Sequence, residues 1–119
     1  MSIRLLSLTL LIFALNTAMA ADEVVSGDVE DGRQFWTMKN TLKGESRSCA
    51  DCHTADPRQS GKHVRTAKTI EPLSPVVNPT RLNDAKKVEK WFYRNCKWTL
   101  GRVCTAQEKA DVRAFLKSN

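Results

Sequence analysis

Cys49-Ala50-Asp51-Cys52-His53 is the stretch of the chain in which thiols and an imidazole fall at a spacing that does chemistry. Two thiols three residues apart reach the two vinyl groups of a haem as thioethers, and the adjoining histidine is thereby delivered to one axial position of the iron. A thioredoxin-like dithiol needs a flanking βαβ pattern, which is absent. A zinc site needs a second close ligand pair, whereas the other cysteines, Cys96 and Cys104, have seven residues between them. The spacing therefore predicts one covalent haem c, with Cys49 and Cys52 as its thioether links and His53 on its iron.

The remainder of the chain must position that group. An apolar stripe of Phe35, Trp36, Met38 and Leu42 predicts a helix from about Glu30 to Leu42, ended by Gly44. Residues 54–82 hold all four prolines and no sustained periodicity, so loops with at most a turn of helix are expected there, wrapping something. A second helix should start at Asn83 or Asp84 and run to about Cys96, with Val88, Trp91, Phe92, Asn95 and Cys96 on its apolar stripe. Thr105 and Glu108 form a capping box for a last helix whose Val112, Phe115 and Leu116 face inward. No internal repeat and no strand-like alternation is visible. The first helix should pack Phe35 or Trp36 against the last through Phe115.

The chain has 119 residues, 19 Lys+Arg against 13 Asp+Glu and a net charge of +6, which allows one domain at most. Residues 1–20 carry Arg4 as their single charge, an apolar run from Leu5 to Leu15 and Ala18-Met19-Ala20, the pattern of a cleaved secretory signal. An uncleaved anchor is the alternative, since the uncharged run to Ala21 reaches the lower edge of spanning length; the small-residue site favours cleavage and leaves no membrane anchor. Residues 21–31 then form an acidic lead-in and residues 32–119 the haem domain. Only roughly a third of that remainder is hydrophobic, so a cofactor or disulfides must help hold it. The body is strongly basic, which invites an acidic partner or anionic lipid; export excludes nucleic acid and points to the periplasm.

Cys96 and Cys104 form an even remainder that suggests a disulfide in an oxidising compartment, worth roughly 2.6 kcal/mol by loop closure. The sixth iron ligand is open. Met1 and Met19 lie in the leader and Met38 precedes Cys49, so no methionine follows His53. His63, a lysine and Asn95 are the candidates. His63 lies in a polar stretch with Gly61, Lys62 and Arg65, where a propionate neighbour or solvent competes with ligation. Asn95 on a buried stripe would cost about 1 to 3 kcal/mol unpaired. Its partner is either a backbone carbonyl, as a helix C-cap, or the iron.

The runs Val88-Glu89-Lys90-Trp91, Arg94-Asn95-Cys96, Gly101-Arg102-Val103-Cys104-Thr105 and Glu108-Lys109-Ala110-Asp111, with Ser48-Cys49 to His53, closely resemble the sphaeroides haem protein family. The resemblance runs from about Gly32 to Leu116 and includes Gly61, Thr66, Lys68, Ile70, Pro72-Leu73 and Pro75 in the middle. It implies an all-α class I cytochrome c fold, three main helices and long loops around one haem, with Ile70, Leu73, Leu82, Trp91 and Phe92 as expected pocket residues. It further implies ferric iron held between His53 and Asn95, release of the asparagine on reduction, and a Cys96 to Cys104 disulfide beside it. The freed position would take O2, NO or CO. Electrons would come from another cytochrome, of the dihaem c type, docked through some of Lys86, Lys87, Lys90 and Arg94, although these bases also suit a solvated helix face. O2 reduction or nitric oxide detoxification is the implied end use. The alternative is a low-spin electron-transfer cytochrome c with His53 and His63 on the iron.

Overall fold

The computed structural model describes residues 24–119; the leader expected over residues 1–20 and the first part of the acidic lead-in lie outside the described residues. Helix α1 spans Val29–Thr37 and starts where the Asp28 carboxylate accepts from the Glu30 and Asp31 amides (2.8 and 2.9 Å). It stops at Thr37, five residues short of the expected Leu42. Residues Asn40–Leu42 form strand β1, paired antiparallel with β2 at Glu45–Arg47. Gly44, read as a helix stop, is the second residue of the hairpin turn: Lys43 and Gly44 both have positive φ (52° and 81°), as a two-residue turn of that hand requires. Met38 is accordingly 44% exposed and belongs to no core.

Short α2, Ala50–His53, carries the CxxCH residues. A second antiparallel pair, β3 (Gly61–Lys62) with β4 (Thr69–Ile70), lies in the proline-rich stretch where only loops or a helical turn were expected. Both pairs are too short for an alternation of faces to show in the sequence.

Helix α3, Ala85–Leu100, is capped by Asp84, whose carboxylate accepts from the Lys87 amide (3.0 Å). It runs four residues beyond the expected end at Cys96 and closes at Gly101, which takes the left-handed cap conformation (φ 74°). Thr105 and Glu108 cap α4, Ala106–Ser118, through both bonds of the capping box. The core lies where α1 crosses α4: Trp36, Val112, Phe115 and Leu116 are buried, and the Trp36 and Phe115 rings stand 6.0 Å apart. Phe35, Cys49, Ala50, Leu73, Leu82 and Phe92 pack around this cluster, bringing α2 and α3 onto one core. No helix among the described residues is long and apolar enough to cross a membrane.

Candidate functional site

The chain enters α2 through Ser48, which is fully buried, and the Asp51 carboxylate turns back to accept from the Ser48 amide (2.7 Å). That closes one tight helical turn with Cys49 at its start and His53 at its end. Both thiols, Cys49 and Cys52, are free and half-buried. Burial pushes the Cys49 thiol up to about 11. A redox dithiol needs the opposite, a thiol whose pKa has been lowered, so Cys49 stays a neutral S–H at physiological pH.

The His53 imidazole is mostly buried, its ring 5.5 Å from Trp36. Burial lowers its pKa to about 4, helped by the positive charge of Arg81, so the ring is neutral and able to donate a lone pair. Its Nδ1 is buried without a hydrogen-bond partner. Two backbone devices hold the turn. The Trp36 indole N–H donates to the Thr54 carbonyl (2.8 Å), fixing the residue after the histidine. Strand β3 lies so close that a Cβ on Gly61 would stand 2.0 Å from the Cys52 carbonyl oxygen. Arg81 ties the proline-rich loop together nearby, donating to the Pro72 and Glu71 carbonyls (3.0 and 3.2 Å).

Of the expected pocket residues, Leu73, Leu82 and Phe92 pack against the core that α2 shares, and Ile70 is half-buried on β4. The stripe read on α3 divides in two. Val88, Phe92, Cys96 and Thr99 turn towards the protein, while Trp91 (46% exposed) and Asn95 stand one row away and exposed. Because α3 continues to Leu100, Asn95 is a mid-helix residue and not a C-cap, and its amide bonds no other side chain or carbonyl among the described residues. His63 holds the β3–β4 loop: its Nδ1 accepts from the Arg65 and Thr66 amides (3.3 and 3.2 Å). The sulfurs of Cys96 and Cys104 lie 1.96 Å apart, their Cα atoms 5.6 Å. Beside the turn, Lys39, Arg47, Asp51, Val64, Arg65 and Trp98 help line a cleft of about 610 Å3.

These residues fit a covalently held haem. Two free thiols, of which burial keeps Cys49 as S–H, sit within one helical turn of a neutral, mostly buried histidine, and no group of three or more His, Cys, Asp or Glu among the described residues could hold a bare metal ion. Trp36, Gly61 and Arg81 were not singled out as site residues from the sequence. Trp36 showed only as a core position on a helical stripe, and nothing in the sequence signals that residues 61 and 81 meet the CxxCH turn.

A family model described as a domain of unknown function, DUF1924, matches residues 22–116. The cytochrome c-type protein SHP of Cereibacter sphaeroides is 44% identical over 90 residues, covering 75% of this chain and 69% of that protein. Cytochrome c'' of Methylophilus methylotrophus is 42% identical over 89 residues, which is 74% of this chain and 62% of the relative's length. Among solved structures, oxidised SHP, described as an oxygen-binding cytochrome c, superposes with a TM-score of 0.73 at 42% identity, over 78% of this chain and 83% of that one. Oxidised cytochrome c'' superposes at 0.70 and 40% identity, over 76% and 75%.

Proposed function

Since this chain belongs to the family of the sphaeroides haem protein and cytochrome c'', and has the all-α class I cytochrome c fold, we propose that it is a periplasmic monohaem c-type cytochrome that binds diatomic gases. The observation that carries this is the CxxCH turn itself, two free thiols and a neutral, mostly buried imidazole, in a chain 44% identical to SHP. When bound, haem would supply an iron that alternates between ferric and ferrous states.

The chain's own residues divide the work. Cys49 and Cys52 would hold the haem by adding their S–H groups across its vinyls, which needs no oxidant. His53 would hold the iron through an imidazole nitrogen. Asn95 would hold ferric iron through its amide oxygen, a hard, neutral, weak donor that suits ferric better than ferrous iron. Loss of that hold in the ferrous protein would leave room for O2 or NO. Trp36 and Gly61 hold the CxxCH turn still meanwhile, and a Cys96–Cys104 disulfide confines the release to a local movement of α3. His63 spends its Nδ1 on the loop amides, which argues against it as the ligand. Another cytochrome, of the dihaem c type, supplies the electron, and O2 reduction or nitric oxide detoxification is the end use. Export follows from the pattern of residues 1–20, and N-terminal sequencing of the mature protein checks it.

Visible spectra of the purified protein, ferric, then dithionite-reduced under argon, then with CO, test the reading. A five-coordinate, high-spin reduced spectrum that shifts with CO is expected. Asn95→Ala should turn the ferric protein high-spin or water-ligated and leave the ferrous spectrum nearly unchanged. A low-spin reduced spectrum indifferent to CO, abolished in His63→Ala, would replace this reading with that of a plain electron carrier.

A further inference from the structure

We propose that the β3–β4 hairpin fixes how His53 meets the iron and thereby sets ferrous gas affinity, with Gly61 as its point of contact and His63 as the residue that keeps it closed. The inference rests on the haem-binding reading of the CxxCH turn and names what holds its histidine. Metal-bound histidines ordinarily donate the second ring N–H to a carbonyl or carboxylate, which orients the ring and tunes its basicity. No protein group among the described residues bonds the His53 Nδ1, although the ring is mostly buried. Its placement is therefore left to contacts on its ring face and its backbone.

The backbone contact is the tighter of the two. Gly61 is buried in β3, and a Cβ there would lie 2.0 Å from the Cys52 carbonyl oxygen, 2.9 Å from the Cys52 carbonyl carbon and 2.9 Å from the His53 Cα. All three are backbone atoms of the CxxCH turn, so no flexible side chain can swing aside to make room. Strand and turn must move together. Gly61 pairs in turn with Ile70, and Lys62 with Thr69, so a displacement of β4 is carried through β3 to the histidine.

Strands β3 and β4 have two residues each, too few for the pair to stay closed on its own ladder. His63, the residue after β3, supplies the clamp. Its amide donates to the Lys68 carbonyl (2.9 Å) and its carbonyl accepts from the Ala67 amide (2.8 Å). Its Nδ1 accepts from the Arg65 and Thr66 amides (3.3 and 3.2 Å). Ala67 is held at a positive φ of 55°, an uncommon conformation for a residue with a side chain, which these bonds sustain. Accepting from amides two and three residues on is ordinarily the part of an Asn, Asp or Ser side chain. His63 is thus a positioning residue that acts on the iron through Gly61 and His53, and not a ligand.

The test compares holoprotein carrying Gly61→Ala, His63→Ala, His63→Asn or Lys62→Ala, the last altering an exposed side chain of the same strand. Two quantities are read. The hyperfine-shifted 1H resonances of His53 in the ferric protein report its bond to the iron whatever the sixth ligand is, and CO titration of the ferrous protein gives the gas affinity. A histidine pushed off its position holds the iron less well, so Gly61→Ala should shift the resonances and lower CO affinity about tenfold. His63→Ala should shift both in the same sense by less. His63→Asn should restore them, because its amide oxygen accepts from the same two amides. Lys62→Ala should match the parent. Parent-like resonances and affinity in Gly61→Ala would overturn the proposal, as would a His63→Ala protein equal to the parent or one whose loss the asparagine does not repair. If Gly61→Ala yields no holoprotein, the two His63 variants decide. A parent that binds no CO would remove the gas-binding reading, and the His53 resonances of the variants would still uphold or overturn the positioning role.

Discussion

The Trp36 indole and the His53 imidazole lie 5.5 Å apart, centre to centre, with planes tilted by 38°, and the indole N–H donates to the carbonyl of the residue that follows the histidine. A core side chain of α1 is thus also a support of the CxxCH turn. Thr54 takes a positive φ of 65°, an unfavourable conformation for a β-branched residue, which that bond helps to hold. Trp36→Phe keeps an aromatic ring against Phe115 but leaves the Thr54 carbonyl without its donor. The holoprotein should lose about 2 kcal/mol in denaturant unfolding, and its absorption bands should shift as His53 gains freedom. An unchanged unfolding midpoint together with unchanged bands would deny the support role.

The α1–α4 crossing tolerates no side chain at residue 32. A Cβ there would stand 2.1 Å from the Asp111 carbonyl oxygen and 2.9 Å from the Phe115 Cβ, both fixed by α4. Gly32→Ala must therefore push the helices apart and disturb Trp36 on the same helix. A loss of about 3 kcal/mol is expected, read as a fall in the melting temperature of the ferric protein. A melting temperature within a degree of the parent would show that the helices part without cost.

The helices and the CxxCH turn were legible because their signals are local. Asp84 and the Thr105–Glu108 box are read within four residues, and CxxCH within five. What escaped were features set by distant partners. Leu42 sits at a helical spacing from Phe35 and yet joins a hairpin, because two left-handed residues at 43 and 44 turn the chain back. Phe92 and Asn95 looked alike on one stripe, and the structure separates them: Phe92, Cys96 and Thr99 turn towards the core, while Trp91 and Asn95 stand one row away. Residues 61 and 81 reach the CxxCH turn only through the folding of the proline-rich loop.

Acid should weaken the start of α4. Arg102, bonding the Glu108 carboxylate, holds its pKa below the usual value near 4.5, with the Thr105 amide helping. The unfolded chain therefore takes up this proton first: the contribution is complete above about pH 5 and is lost as pH falls through the depressed value. Glu108→Gln should cost about 1 kcal/mol at pH 7 and flatten the decline in stability below pH 5. Urea midpoints of both proteins between pH 3 and 7 give the comparison. Parallel curves would mean that another carboxylate, Glu89 first among them, carries the acid sensitivity.

The four cysteines divide into two pairs with different fates. Cys49 and Cys52 are free in a single helical turn, while the Cys96 and Cys104 sulfurs lie within bonding distance across the α3–α4 connection. If the first pair is consumed by thioethers and the second by a disulfide, denatured holoprotein should show no titratable thiol, and reduction should release two. Four thiols after reduction would deny covalent attachment, and two both before and after it would deny the disulfide. Cys96→Ala/Cys104→Ala should lower stability by roughly 2 to 3 kcal/mol, the loop-closure contribution. The end of α3 would still be held by Arg47, which donates to the Trp98 carbonyl (2.9 Å) and stacks on its ring. The ferrous form of this variant should therefore still bind CO, and loss of CO binding would show that the link is needed to hold α3 in place.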